Sequence, residues 1–127
     1  MEFIRPFKEA RFAPTAFNGY RNYFGAYLES VTVIGSKIVP GGCGPGLHYH
    51  PSDQLYFLVE GRTNVQLGHD VHPVAAGTLV FVPAGVPHRQ WNEGPTHERH
   101  LAILTPAPEP GIPLDRGVTL QATGETF

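Results

Sequence analysis

Between about residue 20 and residue 105 the chain alternates short apolar or aromatic runs with glycine and proline breaks. Residues 20–28 and 30–39 are rich in Tyr, Val, Ile and Thr, and Pro40-Gly41-Gly42 closes the second run. Shorter runs follow at 47–49, 55–59, 63–67, 71–74, 78–82, 88–92 and 99–104, with Glu60-Gly61 and Gly68-His69-Asp70 as turns between them. Strands at this spacing predict an all-β antiparallel sandwich or barrel, and no amphipathic helix of useful length is expected. Side chains alternate across a strand. If Gln54 points inward, so do Tyr56 and Leu58, while Leu55, Phe57 and Val59 face out; His88 in turn brings Gln90 and Asn92 inward and turns Arg89 and Trp91 outward. On the last run either Arg99 or His100 faces in, and a one-residue slip of register exchanges them. An inward Arg99 favours a carboxylate-bearing substrate, an inward His100 favours proton transfer.

The flanks read differently. Residues 1–18 carry Phe3, Phe7, Phe12 and Phe17 among prolines and basic residues without a clean period, and are expected to be an extended arm that seeks apolar cover on its own barrel or on a second subunit. Residues 19–105 form the barrel. After them Pro106-Ala107-Pro108-Glu109-Pro110 reads as an extended linker into a polar C-terminal extension ending at 127, packed on the barrel as an edge strand, left disordered, or serving as a lid. A chain of 127 residues supports one domain.

Charge narrows the partners. The formal net charge is -2, which offers no basic field for nucleic acid or an anionic membrane, so a small-molecule substrate is expected. One cysteine, Cys43, excludes an internal disulfide and suits a reducing compartment. The start lacks a signal-peptide pattern and the longest uncharged stretch, 74–88, is too short and too broken by Gly and Pro to span a bilayer, so a cytoplasmic location is expected.

Against this scaffold one constellation stands out. His48 and His50 are two apart in a run that reads as a strand, which places both imidazoles on one face ~6–7 Å apart. After the turn Pro51-Ser52-Asp53, Gln54 offers a further oxygen or nitrogen. His88 follows the turn 83–87 at the start of a returning strand, so three imidazoles from two regions can reach one ion. His69, His72 and His97 lie in turns or loops and are expected to play no part, and Cys43 reads as a small loop residue.

The spacing then carries a resemblance. Gly42, His48-Tyr49-His50, Gln54 and Gly61 match a first block of Gly, five residues, His-x-His, three residues, an acidic position, six residues, Gly; only Gln54 departs from it. Gly77, Pro83-Ala84-Gly85, His88 and Asn92 match the second block at every position. The chain resembles the cupin superfamily over residues 42–92. That resemblance implies a jelly-roll β-barrel of the RmlC-like kind, one divalent metal ion held by three histidines and commonly a glutamate, and a homodimer. The metal ligands are then His48, His50, His88 and Gln54, and the ion is Zn, Fe, Mn, Ni, Co or Cu, since imidazole suits several of these.

Gln54 shifts the chemistry. An amide oxygen brings no charge, so the ion keeps its full dication; weaker retention, stronger Lewis acidity and less support for ferric iron follow. Alternatively Gln54 holds a water or substrate beside a three-histidine site. The first functional expectation is a Lewis-acid enzyme acting on a carbonyl or enol of a small substrate, of isomerase, lyase or cyclase type. A metal-dependent dioxygenase ranks next, and a non-catalytic ligand- or metal-sensing module third; a barrel that has lost its metal is the bland reading. Tyr56 is a candidate proton or hydrogen-bond donor to the substrate, and Asn92 is expected to be structural or to orient a metal-bound histidine.

Overall fold

The computed structural model of the chain describes residues 11–14, 19–27 and 30–106, with backbone alone for 11–14 and 23–27. Nine strands are formed: β1 (Arg11–Pro14), β2 (Tyr20–Tyr27), β3 (Thr32–Ile38), β4 (Asp53–Glu60), β5 (Arg62–Leu67), β6 (Asp70–Ala75), β7 (Leu79–Val82), β8 (His88–Trp91) and β9 (Glu98–Thr105). They make two antiparallel sheets, one of six strands in the order β1-β2-β3-β9-β4-β7 and one of three in the order β6-β5-β8. Among the described residues there is no helix, and so none that could cross a membrane.

The two sheets share one core. Tyr56, Val80, Val82, Ala102 and Leu104 from the larger sheet pack with Val65 of the smaller, and Ile34, Leu67, Val74 and Val86 close around them. Alternation sets which residues enter it: Gln54, Tyr56 and Leu58 of β4 are buried while Asp53, Phe57 and Val59 are exposed. On β9 the buried set is Glu98, His100, Ala102 and Leu104. His100 therefore faces the interior, and Arg99 faces out, where it pairs with Glu60 at 3.3 Å.

Two expectations about elements change. Residues 11–14, assigned to an extended arm, form a strand paired with β2 in the larger sheet; the rest of the arm, residues 1–10 and 15–18, lies outside the described residues, as does the extension from 107 to 127. Residues 47–49, expected as a strand, contribute a single bridge between His48 and His88. Leu47 is 52% and Tyr49 72% exposed, so the run lacks the covered face that would hold a longer ladder.

Turns fix the approach to the interior. Val86 N–H donates to Pro83 carbonyl oxygen at 3.1 Å, and Gly85 sits at φ 81°, the left-handed third position of a type II turn that a side chain strains. Gly61 (φ 76°) joins β4 to β5, where a Cβ would abut the His97 carbonyl oxygen and lie 3.1 Å from Glu98 Cα. The backbone passes there too closely for any side chain.

Candidate metal centre

His48 and His88 are brought together by their own backbones. His48 N–H donates to His88 carbonyl oxygen at 3.1 Å and His88 N–H to His48 carbonyl oxygen at 2.8 Å, which sets the two rings 4.4 Å apart. His50 completes the group, its ring 4.9 Å from His88 and 6.0 Å from His48. The turn after β7 is tied to the same region: Gly85 N–H donates to His50 carbonyl oxygen at 3.0 Å and Ala84 N–H to Asp53 Oδ1 at 2.9 Å. One ring nitrogen from each histidine lies within 4.8 Å of the others.

Each ring is held at its rear nitrogen. His48 Nδ1 lies 2.7 Å from Gly46 carbonyl oxygen, His50 Nδ1 3.1 Å from Ser52 carbonyl oxygen, and His88 Nδ1 2.9 Å from Val86 carbonyl oxygen. A carbonyl oxygen only accepts, so Nδ1 carries the proton and donates in His48 and His88, while His50 faces a carbonyl oxygen at each ring nitrogen. In those two, Nε2 is left as a bare lone pair. That arrangement fixes tautomer and ring orientation in metal-ligating histidines. His88 Nε2 is buried with no hydrogen-bond partner, an orphan acceptor of the kind a cation satisfies. Burial, with smaller contributions from His48 and His50 and opposed by the Val86 carbonyl, lowers the His88 pKa from 6.5 to about 4. The ring stays neutral at pH 7.

Gln54 points into the same place. Its Oε1 lies 2.5 Å from His50 Nε2, and an amide oxygen only accepts, so the short contact is a hydrogen bond donated by Nε2. A divalent ion bound in the cup would displace that proton and draw on both atoms as ligands. The amide N–H2 is then free to donate to Tyr56, whose phenol hydrogen-bonds the Gln54 side chain. The residues present therefore fit a divalent ion: three imidazoles and an uncharged amide, with no carboxylate in the group that closes on the cup.

Tyr56 is buried with its ring 6.4 Å from His88 and 5.2 Å from His100. Burial, then the proximity of Tyr20 and Glu98, pushes its phenol well above the ordinary value despite the Gln54 hydrogen bond. It is a protonated donor. Beneath it lies a polar floor that the sequence did not announce. Glu98 Oε1 is 2.6 Å from His100 Nδ1, both side chains are fully buried, and Gln90 Nε2 is 3.1 Å from His100 Nε2. Tyr20 closes this floor; burial carries its phenol up to about 12.

Asn92 takes the structural role of its two alternatives. Its Nδ2 donates to Ile38 and Thr96 carbonyl oxygens at 2.9 and 2.8 Å, and its Oδ1 accepts from Gly94 N–H at 2.8 Å. All three partners are backbone, so it orients no imidazole. His69, His72, His97 and Cys43 are exposed.

Comparison with known proteins decides the family. The model of the cupin domain family matches residues 36–103, more than half of the chain. This chain is a cupin. The cupin is 37% identical over 67 residues to the polyketide synthase CurC of Streptomyces cyaneus, a match covering 51% of this chain and 44% of that one. The chain spans less than two thirds of the length of the curated relatives it matches. Among solved structures it superposes on an RmlC-like cupin from Shewanella frigidimarina with a TM-score of 0.76 and 20% identity, covering 86% of this chain and 95% of that one. The polyketide cyclase RemF from Streptomyces resistomycificus gives 0.71 and 17%, over 91% and 90%. At such identities the two structures attest the fold.

Proposed function

We propose that this cupin is an enzyme that holds one divalent transition-metal ion with His48, His50, His88 and Gln54 and acts on a carbonyl or enol of a small substrate, in an isomerase, lyase or cyclase type of reaction. The observation that carries this reading is the convergence of a ring nitrogen from each of the three histidines within 4.8 Å, with His88 Nε2 buried and without a partner and Gln54 Oε1 2.5 Å from His50 Nε2. When bound, the ion supplies Lewis-acid polarisation of the substrate oxygen, undiminished by any ligand charge. The protein's own part is orientation and proton supply. Backbone carbonyls of Gly46, Ser52 and Val86 hold the imidazoles in place. Tyr56, kept protonated by burial, donates a hydrogen bond to the substrate oxygen, and Gln54 holds the phenol toward the cup. The names of CurC and RemF, a polyketide synthase and a polyketide cyclase, agree with carbonyl chemistry.

The test has two parts. Protein purified without added metal is analysed for bound ions, and zinc-loaded protein is then incubated anaerobically with hydroxyacetone in D2O while loss of its CH2 proton signal is followed by NMR. Near-stoichiometric metal and accelerated exchange, both abolished by His88→Ala, are expected. Gln54→Glu is expected to hold metal about tenfold tighter or more while exchanging more slowly, because a carboxylate offsets one charge of the ion. Turnover that demands dioxygen and ferrous iron would replace this reading with the dioxygenase.

A further inference from the structure

Glu98 is a buried acid that neither the cup nor the apolar core accounts for. β9 turns it inward with His100, and both side chains are 0% exposed. Glu98 Oε1 accepts from His100 Nδ1–H at 2.6 Å, whereas Oε2 is buried without a hydrogen-bond partner. A second proton on His100 would need an acceptor at Nε2. Gln90 presents its N–H2 group there, at 3.1 Å, and its own Oε1 is unpartnered. An amide nitrogen only donates, so His100 holds one proton and is uncharged. Two phenols also face the pair, Tyr20 from β2 and Tyr56 from β4, both kept protonated by burial. The negative charge therefore stays on Glu98, and an ionised carboxylate in the interior is costly unless a positive charge answers it.

We propose that Glu98 is the counter-charge of the metal centre: from the barrel floor it returns to the ion the negative charge that Gln54 does not bring, without coordinating it. This rests on an ion held by His48, His50, His88 and Gln54. The path from cup to floor is short and buried. The His88 ring is 6.4 Å from that of Tyr56, and Tyr56 is 5.2 Å from His100, which bonds Glu98. After burial and Tyr20, the field of Glu98 is a further cause of the raised Tyr56 phenol, so that field reaches the wall of the cup. What opposes a phenolate there favours a cation. Because the carboxylate gives the ion no electron pair, it aids retention and leaves intact the Lewis acidity that the proposed chemistry uses.

A single negative charge facing a dication across less than ~15 Å, at an effective dielectric constant of ~20, changes affinity on the order of tenfold to a hundredfold. A monovalent ion feels half that energy, hence the square root of the factor.

Competition with a chromophoric chelator measures the affinity of the full chain for zinc and, under anaerobic conditions, for copper(I). Glu98→Gln keeps the shape and an acceptor for His100. It is expected to weaken zinc roughly tenfold to a hundredfold and copper(I) by about the square root of the zinc factor, with the visible absorption of cobalt-loaded protein unchanged. Asp70→Asn, at an exposed carboxylate, is expected to shift zinc affinity by less than about twofold. Nitrogen-15 NMR of the zinc-loaded parent is expected to show His100 as the neutral Nδ1–H tautomer. A parent that takes up no zinc overturns the metal reading and the counter-charge with it. Zinc bound equally by parent and Glu98→Gln overturns the counter-charge alone. Equal losses for zinc and copper(I), or altered cobalt absorption, overturn it in favour of a merely structural Glu98. A His100 imidazolium overturns it without recourse to any variant, since the pair is then neutral.

Discussion

Replacing Asn92 by alanine removes a side chain that is 1% exposed and bonded to three backbone groups. Two carbonyl oxygens, of Ile38 and Thr96, lose a donor, and the Gly94 N–H loses its acceptor. A buried polar group left unpaired costs ~1–3 kcal/mol. Thr96 is exposed, so water reaches its carbonyl and recovers part of the loss; Ile38, fully buried, has no such relief. The expected destabilisation is about 3 kcal/mol, or a melting temperature lowered by roughly 10 °C. Urea unfolding followed by circular dichroism measures it. Asn92→Asp separates hydrogen bonding from volume: it keeps the shape but turns a carboxylate oxygen toward two carbonyls, so it is expected to cost at least as much as alanine. Zinc affinity of the folded variants, measured by competition with a chromophoric chelator, is expected to stay within about threefold of the parent, since Asn92 touches no imidazole and mutations at separate sites are nearly independent. A loss below about 1 kcal/mol, or zinc affinity falling tenfold in well-folded protein, refutes the structural assignment.

Two further outcomes follow from the turn glycines and the buried histidine. Gly61→Ala forces a Cβ against the His97 backbone at positive φ and is expected to cost ~1–3 kcal/mol, whereas Gly77→Ala, equally left-handed but with open space around the site, costs about 1 kcal/mol less; equal losses in urea unfolding would sink the argument from close approach. For His88, depressed from 6.5 to about 4, the native state resists a proton that the unfolded chain accepts, so stability of the metal-free protein is constant above about pH 6.5 and falls as pH drops toward 4. The loss attributable to this residue is at most ~3 kcal/mol. His88→Asn is expected to flatten that part of the stability profile measured in chelator, and an unchanged slope contradicts it.

How much of this was legible depends on which side of a strand was marked. The positions of His48, His50, His88 and Gln54 followed from spacing, because the turn chemistry of 51–53 and 83–87 leaves little freedom in where the next residue emerges. The conformation of 47–49 did not follow: Leu47-His48-Tyr49-His50 alternates like a strand, yet neither Leu47 nor Tyr49 finds cover, and only one bridge forms. The inward turn of His100 was undecidable for a different reason. Ala102 and Leu104 share its parity, but Leu101 and Ile103 on the opposite face are equally apolar, lying beside Phe57 and Leu55 of β4. With both faces apolar the strand carries no mark of which is the core. The Glu98–His100 pair was hidden with it, since Glu-Arg-His reads as solvated surface unless the parity is known. Asn92 was read as inward from His88, and what spacing left open was whether its partners were imidazole or backbone.

The rear anchoring of the three imidazoles limits how this centre could change over generations. The rings of His48 and His88 are oriented toward the cup by an Nδ1–H donated to a main-chain carbonyl, and no carboxylate or thiolate can make that donation. A substitution of His48 or His88 by Asp, Glu or Cys would strand a carbonyl as well as alter a ligand, so two faults arise from one codon. Gln54 strands no main-chain carbonyl when changed, because its backbone place in β4 is held by the ladder and its side chain contacts only His50 and Tyr56 in the cup. The donor set is thus free to drift at one position out of four, and that position sets the charge of the site.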